Sequence, residues 1–333
     1  MKNRLKIMKM VSVSSMILLA MFLTACGGGG GDSGGGDSGG GTSYTGIATM
    51  ATIDENNARD IAIGAYMGGQ TGSAMVGISA IQSVESGDIG RPRTLEVAQA
   101  LEDSLRRVDF MYRSDGTILN AIATETDTVA GDCGGSGSFT IQVNDETGVF
   151  NGSFTFTNYC NGGITISGDM SFSGLIDVDT GYMVDFNFSF DNLTVTSGSD
   201  SFTLDGTISY DVSGSTTTAT MTMLLQDNNT LKVYWIKDYA LTLTEGVNYE
   251  VTFNISGYYY DPDYGYITIS TPTPLVIYYG DSWPSDGVLV VTGDGNTKAR
   301  LTVLSSTTYQ VEADTNGDGS YDWDSGVLYW SEI

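Results

Sequence analysis

From about residue 117 onward, apolar residues recur at every second position. Val184, Phe186, Phe188 and Phe190 alternate with Asp185, Asn187, Ser189 and Asp191. Met221 and Met223 alternate with Thr220 and Thr222, and Leu241 and Leu243 with Thr242 and Thr244. Val251, Phe253 and Ile255 alternate with Thr252 and Asn254. A period of two puts greasy side chains on one face of a strand and Thr, Ser, Asn or Asp on the other. One-sided strands of this kind belong to antiparallel sheets with one wet face. Turn signals follow at short spacing, at Asn151-Gly152, Asp205-Gly206 and Asp227-Asn228-Asn229. No helical stretch of about 10–15 residues interrupts them, which excludes parallel βαβ crossovers.

The expected fold is therefore mainly β, in the α+β sense: an antiparallel β-meander over 114–333 forming a curled sheet or open barrel, with N-terminal helices packed on its apolar face. Weak internal repetition supports repeated meander units. Phe156-Thr157-Asn158, Phe190-Asp191-Asn192 and Ile236-Lys237-Asp238 each lead into a further segment that reads as one hairpin plus a return strand, at uneven spacing that argues against a strict solenoid.

Residues 44–113 read as helical. Thr52 with Glu55 three residues on fits a capping box. Asn57, Ala58, Ile61, Ala62 and Ala65 follow at helical spacing, and Gly68-Gly69 is the expected stop. A second helix is expected from Pro92, where Leu95, Ala98, Leu101, Leu105, Val108 and Met111 make one apolar stripe. A short stretch of apolar and small residues over 73–84 reads as a third helix.

The N-terminus carries an address. Lys2, Arg4, Lys6 and Lys9 precede a mostly apolar run from Val11 to Phe22. That run is too short to span ~30 Å of hydrocarbon as a mature helix and has the size of a secretory core. It ends in Leu23-Thr24-Ala25-Cys26, which resembles the lipobox of bacterial lipoproteins. The resemblance implies cleavage after a 1–25 signal peptide and acylation of Cys26, palmitate included. Gly27 follows the cysteine; by resemblance to enterobacterial lipoprotein sorting, this implies the outer membrane. Gly27 to Ser43 is a Gly/Ser/Asp tract with nothing apolar to bury, so 26–43 reads as a lipidated cysteine on a disordered tether. Seventeen such residues reach roughly 20–25 Å end to end.

Charge and composition narrow the function. The chain has 333 residues and no His, which removes Ser-His-Asp, Cys-His and His-ligated metal chemistry. The formal net charge is −26; removal of residues 1–25 takes away four positive charges and no negative ones, leaving −30. Such a chain has no electrostatic attraction for nucleic acid and is repelled by an anionic lipid surface. Membrane attachment is expected from acyl chains alone.

Of the cysteines, Cys133 and Cys160 remain beside turn-like sequences. In an oxidising envelope compartment a structural disulfide is expected. The alternative, a redox pair, lacks Cys-x-x-Cys spacing and a nearby basic residue. Asp314-Thr-Asn-Gly-Asp-Gly-Ser-Tyr-Asp322 places oxygen donors at positions 1, 3, 5 and 9 with Gly at 6. It resembles the calcium loops of EF-hands, dockerins and FG-GAP repeats. The resemblance implies Asp314, Asn316, Asp318, Ser320 (through its carbonyl) and Asp322 as ligands. Ser325 stands where an EF-hand has its bidentate Glu, and Asp324 is the substitute. Strand-like flanks favour a strand–loop–strand site, for which about 10⁻⁴–10⁻³ M affinity is expected. A tight acidic turn without an ion is the competing reading.

Tyr258, Tyr260, Tyr264, Tyr266 and Trp283 lie in an aromatic-dense stretch, beside Asp261, Asp263, Asp281 and Asp286. Carbohydrate or peptide binding and plain cross-strand packing both fit. The functional expectation is a non-enzymatic, lipid-anchored protein, periplasmic or surface-exposed, with a binding or envelope-structural role and a polysaccharide or protein partner. The alternatives are a carrier of hydrophobic ligands in the concave sheet and a carboxylate-dependent hydrolase.

Overall fold

The structure, a computed structural model, describes residues 41–75, 123–144, 146–161, 163–176, 183–246, 250–278 and 281–333. Among the described residues, fourteen strands form one antiparallel sheet in which each strand pairs with its neighbours in sequence. They are β1 (Ala123–Ala130), β2 (Gly134–Val143), β3 (Val149–Asn161), β4 (Ile164–Ile176), β5 (Met183–Ser197), β6 (Asp200–Ser213) and β7 (Thr216–Asp227). The second half comprises β8 (Val233–Glu245), β9 (Glu250–Asp261), β10 (Gly265–Tyr278), β11 (Asp286–Thr292), β12 (Lys298–Ser305), β13 (Thr308–Asp314) and β14 (Trp323–Tyr329). The sheet is not closed into a barrel; β1 and β14 are its edges.

Two of the expected turns are strand interiors. Asn151-Gly152 lies inside β3 and Asp205-Gly206 inside β6. Gly152 is there for space, not for turning: an added Cβ would lie 2.3 Å from the Phe172 ring on β4. Only Asp227-Asn228-Asn229 turns the chain, with the Asp227 carboxylate capping the N–H groups of Asn229 and Thr230.

The three repeated triplets mark bulges, not hairpins. On β3, Thr157-Asn158 together oppose Ser167 of β4. On β5, Asp191-Asn192 oppose Asp205 of β6. On β8, Lys237-Asp238 oppose Thr222 of β7. The second residue of each pair is left-handed, with φ of 47°, 51° and 51°. That conformation favours Asn and Asp. Each bulge orphans one N–H, and the residue opposite recaptures it with a side-chain oxygen: Ser167 Oγ (3.1 Å), Asp205 Oδ1 (2.8 Å) and Thr222 Oγ1 (3.1 Å). Bulges bend a strand and increase its twist, so this recurrent device curls the sheet.

The inward positions are apolar from β2 to β13 and form one continuous core, from Phe139 through Phe186, Phe188, Met221, Leu241 and Phe253 to Val311. Helix α1 (Ala58–Met75) lies on the inner face of β8, β9, β11, β12 and β13. Its cap differs from the expected one. Asp54 Oδ1 accepts the N–H groups of Asn56 and Asn57, and Asn57 Oδ1 accepts that of Asp54. The capping box is Asp54/Asn57, shifted two residues from Thr52/Glu55.

The helix also runs through Gly68-Gly69 instead of stopping there. These glycines face the sheet. A Cβ at Gly69 would lie 2.3 Å from Ile255, and one at Gly64 would lie 2.6 Å from the Tyr259 hydroxyl. Close helix–sheet approach, not chain termination, is their role. The expected helix from Pro92 and the expected strand start at 114–122 lie outside the described residues. Of the 73–84 stretch, residues 73–75 belong to α1.

Candidate functional site

The first described residues cross the sheet from one face to the other. Thr42 N–H donates to Asp205 on the outer face. Ile47 N–H reaches Pro262 O in the β9–β10 turn. Thr49 O and Ala51 N–H then bond Tyr266 of β10 (3.0 and 2.8 Å). Asp294 N–H bonds Ala51 O, and Ile53 N–H bonds Thr297 Oγ1, before the chain enters α1 on the inner face. The point where the expected tether meets the folded part is therefore on the polar side.

Beside that point stands an aromatic ladder. Trp235 on β8 faces Tyr260 on β9, and Tyr260 faces Tyr266 on β10. Ring centroids are 4.6 and 5.0 Å apart along this row. Tyr44 meets Tyr260 edge-on at 5.4 Å and Trp235 at 5.9 Å. Tyr258, 39% exposed, meets Tyr266 edge-on at 6.1 Å. Lys237 Nζ sits 4.8 Å over the Trp235 ring, a cation–π contact. Burial, and then the nearby Asp261 carboxylate, push the Tyr44 phenol up to about 12. It stays protonated and donates toward Ile47 O and Asp261 O (2.8 and 3.0 Å).

The five aromatic residues singled out in the sequence thus separate. Tyr258, Tyr260 and Tyr266 share the outer face. Tyr264 packs partly buried against the core. Trp283 lies inside, stacked on Trp330 at 5.0 Å and 6.4 Å from Tyr66 of α1. Tyr44, Trp235 and Lys237 belong to the outer cluster and were missed. The available signal was phase: Trp235 immediately precedes inward-facing Ile236, so it points outward.

The C-terminal loop closes through its own backbone. Asp314, 1% exposed, accepts N–H bonds from Gly317, Asp318 and Gly319. Asn316 and Asp318 each accept the N–H two residues on. Asp322 accepts from Thr315 N–H, Thr315 Oγ1 and Asn316 Nδ2, which hold its carboxyl below the ordinary range. Ser320 is exposed at the loop tip. Asp324 is turned away, accepting from Gln310 and Gly326 N–H. Arg300 pairs with Glu312 and stacks over Tyr321 at 4.1 Å, fixing one flank of the loop.

The four-residue oxygen set Asp314, Asn316, Asp318 and Asp322 suits a hard cation in kind. In this geometry its oxygens are spent on donors within the loop. Among the described residues, the acidic and sulfur ligand atoms that converge in threes, within 4.8 Å, are those of Asp132, Cys133 and Cys160. There the two sulfurs are already joined: Cys133–Cys160 is a disulfide, with Cα atoms 5.1 Å apart. It closes the end of β1–β3.

The buried carboxylates serve turns. Asp227 caps its own hairpin, as above. Asp261 accepts N–H bonds from Asp263 and Tyr264, yet burial pushes its carboxyl up. Cys26 lies outside the described residues. No protein family, curated protein or solved structure matches this sequence.

Proposed function

We propose that the protein is a lipid-anchored lipoprotein of the outer membrane that works without catalysis, by binding an envelope polysaccharide or protein partner through its outer face. The observation that carries this reading is the ladder of Tyr44, Trp235, Tyr258, Tyr260 and Tyr266, half-exposed on the same side as the tether's folded end. Tyr and Trp present large rigid apolar area with a polar tip, which suits contact surfaces. The helix on the inner face of β8–β13 fills the space that a carrier of hydrophobic ligands would need there. Among the described residues, the buried carboxylates sit in turns, not paired across a cleft as a hydrolase requires.

Acylation of Cys26 supplies the attachment, since the strongly acidic chain has no affinity for an anionic leaflet. Calcium is the proposed ion of the C-terminal loop, held by Asp314, Asn316, Asp318, Asp322 and the Ser320 carbonyl. It pins the β13–β14 hairpin, and Asp324 is left to brace β14.

The test has three arms. Cys26→Ser must move the protein from the membrane to the soluble fraction. Trp235→Ala with Tyr258→Ala must abolish retention on immobilised envelope polysaccharide or on a purified envelope partner. Calcium must raise the melting temperature of the wild type and not of Asp318→Ala. Persistent membrane association of Cys26→Ser, or undiminished retention of the double variant, would end the reading.

A further inference from the structure

The bulge at Lys237-Asp238 does more than curl the sheet. It opens a trough of about 230 Å³ on the outer face, lined by Thr207, Ser209, Thr220, Thr222 and Asp238 and floored by Met221 and Tyr239. Asp238 is exposed, and its left-handed backbone is fixed by the bond from its N–H to Thr222 Oγ1.

Some outward hydroxyls of this face pair with one another across strands: Thr194 with Thr203, Thr196 with Ser201, Thr216 with Thr244. In the trough, the hydroxyls of Thr207, Ser209 and Thr220 and the carboxylate of Asp238 have no hydrogen-bond partner among the described residues. A cluster of free donors and acceptors converging on one small concavity is how polar ligands are oriented.

The neighbours add an apolar side. Lys237, next to Asp238 in the chain, lies in register with the exposed Tyr258 on β9. Asp238 is near enough to Tyr260 to hold its phenol up, after burial and the neighbouring tyrosines. We infer that this trough is a subsite for one uncharged pyranose unit of a polysaccharide, its hydroxyls bonded by Asp238 and the Thr/Ser hydroxyls and its C–H face laid on Tyr258.

The inference rests on the outer-face binding reading above and names its ligand class. Size favours a single ring, because drug-sized ligands take sites of roughly 300–1,000 Å³. Charge favours a neutral sugar: among the described residues no cation is bonded to Asp238, and the chain carries −26 overall, so a polyanionic glycan is repelled. A protein partner fits less well. The trough lies within the sheet, away from its edge strands β1 and β14, and its walls are polar.

The experiment is calorimetric titration of the full-length lipidated protein in detergent micelles. The probes are neutral hexasaccharides of glucan, mannan and xylan type, with hyaluronate as the polyanion. Thr220→Val deletes one hydroxyl at constant shape; Asp238→Asn keeps the left-handed backbone but removes the charge. The expected result is binding of at least one neutral probe, weakened about tenfold by either change with the melting temperature held. Neutral binding untouched by these variants but lost in Trp235→Ala would overturn the trough while leaving the outer-face reading. Preference for hyaluronate would overturn the neutral class. Absence of sugar binding, with ladder-dependent capture of a purified protein partner, would overturn the sugar and keep the ladder. Absence of both would overturn the subsite and the outer-face reading together.

Discussion

Asp205 divides its two carboxylate oxygens between Asn192, whose N–H it accepts at 2.8 Å, and Thr42, whose N–H it accepts at 2.9 Å. One side chain thus satisfies a bulge in β5 and holds Thr42, among the first described residues, to the sheet. Asp205→Ala leaves both donors to water and is expected to cost about 1–2 kcal/mol. Urea unfolding measures the loss, and limited proteolysis should show faster cleavage near residues 42–48. Asp205→Asn retains an acceptor and should lose less. Equal stability of all three proteins would show that the bond carries nothing.

Gly64 tests whether close approach outweighs helix propensity. At an exposed helix site, Gly→Ala gains about 1 kcal/mol. Here the new methyl would lie 2.6 Å from the Tyr259 hydroxyl and 2.8 Å from its ring. Overpacking costs about 1–3 kcal/mol, so a net loss of up to about 2 kcal/mol is expected from thermal melts of Gly64→Ala. The same change on a Tyr259→Phe background, which removes the nearest atom, should cost less. A raised melting temperature for Gly64→Ala would reverse the assignment.

These glycines also show where sequence reasoning stopped. Period two gave the antiparallel meander and its inward set, because alternation is local and every strand is one-sided. Gly-containing pairs were ambiguous: Asn151-Gly152, Asp205-Gly206 and Gly68-Gly69 all resemble turn or stop signals. What decides them is a partner on another element, the Phe172 ring for Gly152, the Thr222 backbone oxygen, 2.2 Å from an added Cβ, for Gly206, and Ile255 for Gly69, and no local pattern names that partner. The triplets ending at Asn158, Asn192 and Asp238 were visible as repeats. Their meaning as bulges required the opposing Ser167, Asp205 and Thr222. The outer ladder was half legible, since Tyr258, Tyr260 and Tyr266 share a phase, whereas Tyr44 arrives from a segment more than two hundred residues away along the sequence.

The Cys133–Cys160 bridge spans a sequence separation of 27. Closing such a loop is worth about 3–4 kcal/mol in the chain-entropy account. Cys133→Ser/Cys160→Ser, or wild type under reductant, should lose about that much by chemical denaturation. Peptide mapping without reductant should recover the two cysteines in one linked fragment. Free thiols at both positions would remove the disulfide and this prediction with it.

The pH dependence of stability has two windows of opposite sign. Asp261 is raised from 3.8, first by burial and then by Asp263, against the bonds from Asp263 and Tyr264 N–H. Asp185 is raised by burial and then by Asp211, which faces it across β5–β6. A carboxyl that is less acidic when folded takes up its proton in the folded state first. Stability therefore rises as pH falls through the folded value, and the gain is complete below the unfolded 3.8. Relief of self-repulsion in a chain of −26 acts in the same direction. Asp322, bonded by Thr315, and Asp324, bonded by Gln310 and Gly326, are both lowered from 3.8. Their contribution is present above 3.8 and is lost as pH drops below it. The urea midpoint is thus expected to climb from pH 7 toward pH 4 and to fall again at lower pH. Asp261→Asn should flatten the climb, and Gln310→Ala should shrink the acid-side fall. A midpoint that declines steadily from pH 7 downward in the wild type would contradict the account of Asp261.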